Sequence, residues 1–144
     1  MKKRLREGYE LDDDTARIDR DVVHRFISEA SYWATGRPRE TMDGLIDRAS
    51  RNVGLYAPDG SLAGYSRTVD VPDAFLVYLA DVFVLPEHRG HGLGVELVRF
   101  TVEEGPYAHR RWVLHTLDAH GLYEKVGFAP AERLLERSAP RGSQ

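Results

Sequence analysis

With 144 residues, 42% of them hydrophobic and 30% charged, the chain has the composition of one globular domain able to bury roughly two-thirds of its unfolded surface. A net charge of -3 argues against nucleic acid as a partner, whose footprint is normally basic, and the lack of cysteine excludes disulfides, thiolate catalysis and thiolate metal sites. No apolar run approaches the roughly 20 residues of a bilayer span, so no membrane is expected. The basic start, Met1 to Arg6, is not followed by an apolar stretch and does not read as a signal peptide, which leaves the cytoplasm as the expected compartment.

In chain order, residues 1–8 are polar and read as a loose basic arm, followed by a short strand at Tyr9 to Leu11. The acidic triplet Asp12-Asp13-Asp14 lacks the spacing of a calcium loop and reads as a solvated turn. Asp19 or Asp21 caps a helix through about Ala30, whose apolar face is Val22, Val23, Phe26, Ile27 and Ala30. Pro38 opens a second, short helix carrying Met42, Leu45 and Ile46. Asn52 to Ala57 and Ser61 to Val71 form a hairpin about Pro58-Asp59-Gly60.

The stretch Phe75 to Val84 predicts a central strand apolar on both faces, with Phe75, Val77, Leu79 and Phe83 on one side and Leu76, Tyr78, Ala80, Val82 and Val84 on the other. Past Pro86, Arg89-Gly90-His91-Gly92-Leu93-Gly94 leads into an apolar helix. A strand, a glycine-rich turn and a helix N-terminus together make an anion site, because free N–H groups and the positive end of the helix dipole converge there. The spacing is not that of a dinucleotide fingerprint, and the Lys-Ser/Thr ending of a nucleotide P-loop is missing. Trp112 to Thr116 reads as a further strand and Ala119 to Val126 as a short helix stopped by Gly127. Leu134 to Arg137 is a candidate last edge strand. The order of elements predicts an α/β or α+β fold in one domain, residues 1–144, with a mixed, mostly antiparallel sheet.

Two segments resemble the GNAT superfamily of N-acetyltransferases. Val82-x-Val84-x-Pro86-x-x-Arg89-Gly90-x-Gly92-Leu93-Gly94 is similar to its acyl-CoA motif, and Thr116-x-x-Ala119-x-x-Leu122-Tyr123-x-Lys125-x-Gly127-Phe128 to its second motif. The resemblance implies a GNAT-type sheet of six or seven strands flanked by about four helices. It implies acetyl-CoA as co-substrate and an amine acceptor, with no metal. Backbone N–H groups of Arg89, Gly90, His91, Gly92, Leu93 and Gly94 would hold the pyrophosphate. Main-chain groups of Val82, Phe83 and Val84 would pair with the pantetheine arm, and one N–H there would polarise the thioester. Thr116, Ala119 and Tyr123 would border the cofactor; Thr116 stands where many relatives carry Asn. Relatives often bulge in the central strand, so the alternation is expected to slip near Asp81.

Acetyl transfer needs a neutral nucleophile, a stabilised oxyanion and a protonated leaving thiolate. Tyr123 sits at the family's position for the acid, a phenol that stays protonated as sulfur leaves; its plain alternative is an aromatic packed against the sheet. Asp81, a carboxylate in an apolar strand, is either the base that deprotonates the acceptor or a structural partner for an arginine. His88 and His91 flank the turn without completing a metal set, while His115 or His120 would be a proton shuttle if either reaches the site. Tyr32 and Trp33, between the first two helices, are the candidates for the acceptor pocket, where Asp118 and Glu124 would guide a cationic amine. The expected activity is an N-acetyltransferase acting on a primary amine of a small molecule or peptide, against the alternative of a catalytically silent acyl-CoA-binding module. Edge strands near the C-terminus would allow a homodimer.

Overall fold

The computed structural model describes residues 1–140. Its elements, in chain order, are β1 (Lys2–Arg4), β2 (Glu10–Asp12), α1 (Arg20–Ala30), α2 (Arg39–Arg48), β3 (Arg51–Tyr56), β4 (Leu62–Val71), β5 (Leu76–Val84), α3 (Leu93–Glu103), β6 (Trp112–Val113) and α4 (His120–Glu124). The strands form one sheet in sequence order, antiparallel throughout except for the parallel pair β5–β6. Helices cover both faces. Val23, Ile27, Met42 and Ile46 of α1 and α2 meet Tyr56, Leu62, Tyr65 and Phe83 on one face. Leu93, Leu97 and Phe100 of α3 meet Leu11, Val53, Leu55 and Ala63 on the other.

Local chemistry accounts for the helix ends. Asp19 Oδ1 accepts from the N–H of Val22 (3.2 Å) and starts α1, and Pro38 precedes α2. At the C-terminus of α3 the buried Arg51 donates from one guanidinium nitrogen to the carbonyls of Thr101 (3.1 Å) and Glu104 (2.8 Å). Its Nε lies 3.0 Å from Asp13. Four carbonyls at a helix end lack intrahelical donors, and a side-chain cation there satisfies both the hydrogen bonds and the dipole.

The amino-terminal expectations need correcting. Residues 1–8 are not a loose arm: Lys2, Lys3 and Arg4 form β1 on the edge of the sheet, paired with Asp12, Leu11 and Glu10. An edge strand can be charged on both faces, so its composition resembles a solvated tail. Nor is the acidic triplet a solvated turn. Asp12 is buried and accepts from Arg17 (3.0 Å), Asp13 takes the terminal ammonium (2.7 Å) and Arg51, and Asp14 caps Ala16 (3.0 Å).

Two corrections concern the carboxy-terminal half. Leu134 to Arg137 forms no strand, and β6 is only two residues long, so the sheet has six strands. Phe75 lies outside β5, 81% exposed and in the left-handed region (φ 56). The slip near Asp81 is present: Ser66 faces Val82 and Thr68 faces Leu79, so Ala80 and Asp81 oppose Arg67 alone. This bulge turns Leu79 toward Val98 and Val102 of α3 while Phe83 packs under α1, so the two lie on opposite faces rather than sharing one.

Candidate active site

β5 pairs with β6 only at Val77 and Tyr78, and beyond that point the two strands diverge. The N–H of Leu85 donates to Ala63 of β4 (2.8 Å). Alternation along an antiparallel ladder then aims the main-chain groups of Phe83 at β4 and those of Val82 and Val84 at the open edge. Of the three residues expected to pair with the pantetheine arm, Val82 and Val84 therefore turn main-chain groups to the open edge, the N–H and C=O of Val82 and the N–H of Val84 being free of partners among the described residues. Arg89 Nε donates to the carbonyl of Val84 (2.9 Å), tying the following turn back to the strand. The gap holds a cavity of about 1000 Å³ bounded by β5, the glycine turn, α4 and the α1–α2 connection.

The glycine turn suits an anion. Gly90 (φ 89) and Gly92 (φ 71) take left-handed conformations that other residues adopt at a cost, and a Cβ built on either meets no atom within 4 Å. The space above them is open to a ligand. Gly92 is the residue before α3, and its carbonyl accepts the first helical bond, from Glu96 (3.2 Å). The N–H groups of Leu93, Gly94 and Val95 have no acceptor among the described residues and point along the helix axis into the cavity mouth. The wall here is main chain, so diphosphate oxygens can approach it closely, and the residues present fit coenzyme A. Gly94 is different: it is helical and in ordinary contact with Leu122.

Tyr123 lines the cavity from α4, edge-on to Phe128 at 5.8 Å between ring centroids. Burial, followed by the neighbouring Tyr32 and Asp118, pushes its phenol up to about 12. It stays protonated at any working pH, as a proton donor must. Tyr32 and Trp33 also line it, from the α1–α2 connection, edge-on to each other at 5.2 Å. Tyr32 Oη accepts from the N–H of Leu117 (3.0 Å), so this wall is tied to the loop before α4. The Oγ1 of Thr116 accepts from the N–H of Ala119 (3.1 Å) and orders the same loop; both residues border the cavity.

Asp81 requires the main correction at the site. It is 1% exposed, beneath the cavity wall, and three donors hold it: Trp33 Nε1 (2.8 Å), Arg37 (2.9 Å) and Arg67 Nε (2.8 Å). Burial alone would raise its carboxyl, but Arg67, then Arg37 and the indole, outweigh that and hold it below the usual carboxylate range. A carboxylate so stabilised as an anion is a poor proton acceptor. Of the two roles expected from its position, the arginine partner fits and the base does not.

His91 does not line the cavity, and its ring lies 3.6 Å from Glu7. His88 borders the cavity, with Nδ1 hydrogen-bonded to Tyr9 Oη (2.7 Å). Asp118 and His115 line the cavity; Glu124 and His120 do not. Among the described residues no group of three or more His, Asp or Glu could hold a metal ion. Sequence reasoning missed Arg37 and Arg67, although a lone carboxylate in an apolar strand demands such partners, and it missed Tyr78 and Glu136, which carried no local motif.

A family model of acetyltransferases, described as the acetyltransferase (GNAT) family, matches residues 11–128. The chain belongs to the GNAT acetyltransferase family. A GNAT-family protein of Xanthomonas campestris pv. campestris is 34% identical over 92% of this chain and 94% of its own, with a TM-score of 0.80. More distant solved structures share the fold. One, from Deinococcus radiodurans, is 22% identical over 95% of this chain and 93% of its own (TM-score 0.69). Another, an aminoglycoside 6'-N-acetyltransferase from Acinetobacter baumannii, is 16% identical over 94% of this chain and all of its own (TM-score 0.62). Among curated proteins none matches this chain. This GNAT domain is accordingly an acyltransferase, and no helix among its described residues is long and apolar enough to cross a membrane.

Proposed function

We propose that this GNAT enzyme transfers an acetyl group from acetyl-CoA to a primary amine of a small molecule or peptide, by direct attack of the amine on the thioester. The observation that carries this reading is one cavity lined both by the unpaired main-chain N–H groups at the start of α3 and by the Tyr123 phenol and the Tyr32–Trp33 pair. When bound, acetyl-CoA supplies an activated carbonyl and a thiolate leaving group. The turn from Gly90 to Gly94 and the start of α3 hold the diphosphate by N–H groups and helix dipole, whereas the N–H of Arg89, expected to join them, is given to the carbonyl of Pro86 (3.3 Å). Val82 and Val84 present main chain to the pantetheine amides as an added strand would, and an N–H of that edge polarises the carbonyl. Tyr123 donates its proton to the departing sulfur. Tyr32 and Trp33 flank the acceptor.

Thermal unfolding with acetyl-CoA tests the first half. At about 100 times its dissociation constant the ligand should add roughly 2.7 kcal/mol of stability, and an unmoved melting temperature would count against cofactor binding. A panel of amines assayed for release of free coenzyme A tests the second.

A further inference from the structure

An alkyl amine titrates near 10, so at neutral pH it arrives with its lone pair protonated and must lose that proton before it attacks. The inference below rests on the transferase reading, and Asp81, locked by three donors, leaves the proton acceptor unassigned. The cavity contains one arrangement suited to the task, assembled from three elements distant in sequence. Tyr78 of β5 is hydrogen-bonded through Oη to Nδ1 of His115, two residues past β6. Nε2 of the same ring lies 3.6 Å from a carboxylate oxygen of Glu136, in the segment after α4. All three side chains line the cavity that Tyr32 and Tyr123 also line, whereas His120 does not. A carboxylate at Nε2 favours the tautomer protonated there, which leaves Nδ1 as the acceptor for the phenol hydrogen.

We propose that Tyr78, His115 and Glu136 form the proton exit for the acceptor amine. The ammonium passes one proton to Tyr78 Oη as the phenol's own proton moves to His115 Nδ1. The amine is left neutral with its lone pair free, Tyr78 remains a phenol, and the imidazole becomes an imidazolium facing Glu136. The ring's side chain is 53% exposed, so the proton then leaves to water. Burial, followed by Glu136, raises the Tyr78 phenol above its ordinary range, which suits a relay through the neutral hydroxyl rather than a standing phenolate. The catalytic residues are Tyr78, which touches the amine, and His115, which takes the proton; Glu136 is a positioning residue. The other ionisable groups around the relay are Asp118 of the loop before α4, Tyr32 of the α1–α2 connection, Tyr123 of α4, and the Asp81–Arg67 pair that Tyr78 senses through β5.

The test uses the full chain and two readouts. By nitrogen NMR of labelled histidine at fixed pH, Glu136→Gln should shift the Nε2 resonance of His115, and Tyr78→Phe its Nδ1 resonance. In steady-state assays with saturating acetyl-CoA, His115→Gln should slow transfer to phenethylamine about 100-fold, within the usual range for general acid–base groups. Transfer to aniline, which is already neutral at pH 7, should slow by a much smaller factor. The acid limb of the phenethylamine profile should move in Glu136→Gln. A His115 resonance indifferent to both neighbours, or equal losses on the two amines, would overturn the relay. Wild-type enzyme that releases coenzyme A with neither amine counts against the proposed transfer, while the His115 ring resonances still decide the relay.

Discussion

Every residue of β3 is buried, and its main chain is paired with β4 along its length and with β2 from Gly54 to Tyr56, whereas past its pairing with β6 the far edge of β5 faces a cavity, where the main-chain groups of Val82 and the N–H of Val84 have no partner among the described residues. The two strands lie two places apart in one sheet. On the β3 side, the polar atoms that Asn52 carries into the interior are answered at once: it donates to the carbonyl of Ile46 (3.0 Å) and accepts from Tyr65. On the β5 side such atoms are left for something else to answer. A fold that satisfies its backbone so thoroughly in one place and withholds partners in another marks where a ligand belongs, since unpaired buried backbone is costly without water or a ligand.

That contrast can be broken in order of size. Tyr123→Phe removes the phenol proposed to protonate the departing sulfur. Turnover should fall roughly 10- to 1000-fold while acetyl-CoA affinity by calorimetry stays near wild type; unchanged turnover would return Tyr123 to a packing role. Asp81→Asn belongs to the closed side. It leaves Arg37 and Arg67 without their anion and should cost about 3 kcal/mol in urea unfolding, the low end for breaking a buried pair. The shape of the pH–rate profile should be retained. Because folding lowers the carboxyl below its ordinary 3.8, its stabilisation is present above that pH and is lost as the pH falls through the folded value. Wild type and variant should therefore converge in stability in acid, and a gap that widened there would contradict the ion-pair account.

Gly92→Ala probes the boundary between the two regions. A Cβ at φ 71 costs about 1 kcal/mol and intrudes on the anion site. The dissociation constant for acetyl-CoA should rise about tenfold, or about 1.4 kcal/mol, with only a small drop in melting temperature. An equal loss of both would make this glycine a purely structural one. The smallest effect is expected outside both regions. Phe75→Gly relieves a left-handed aromatic residue that is almost fully exposed, and should raise stability by up to about 1 kcal/mol. A fall would mean that Phe75 packs against something in solution.

What was legible in the sequence follows the same division. Strand–turn–helix order and the glycines of the turn were readable because each rests on a local pattern, an apolar run or a residue without a Cβ, whereas Tyr123 was singled out by the resemblance and the fold places it on the cavity. The slip at Asp81 was anticipated only from the resemblance, since a bulge is set by pairing with β4 and leaves no mark in β5 alone. The role of Asp81 was not decidable, because its partners Arg37 and Arg67 lie in other elements and look like any surface arginine. The same holds for β1, whose Lys2, Lys3 and Arg4 carry no apolar alternation, and for Tyr78, His115 and Glu136, which only the fold brings into one place. The expected strand at Leu134 to Arg137 failed in the opposite direction: a short apolar pair fits an edge strand on paper, but β6 is too short to dock it.

The indole of Trp33 and the guanidinium groups of Arg37 and Arg67 all grip the same carboxylate, at the residue where β5 kinks. The wall proposed to flank the acceptor is thereby riveted to the strand proposed to face the thioester. A guest wide enough to push the indole aside would strip a donor from a sealed anion and tug on that kink, so under the proposed function selection by girth at the entrance and alignment at the reacting carbonyl would be one mechanical property.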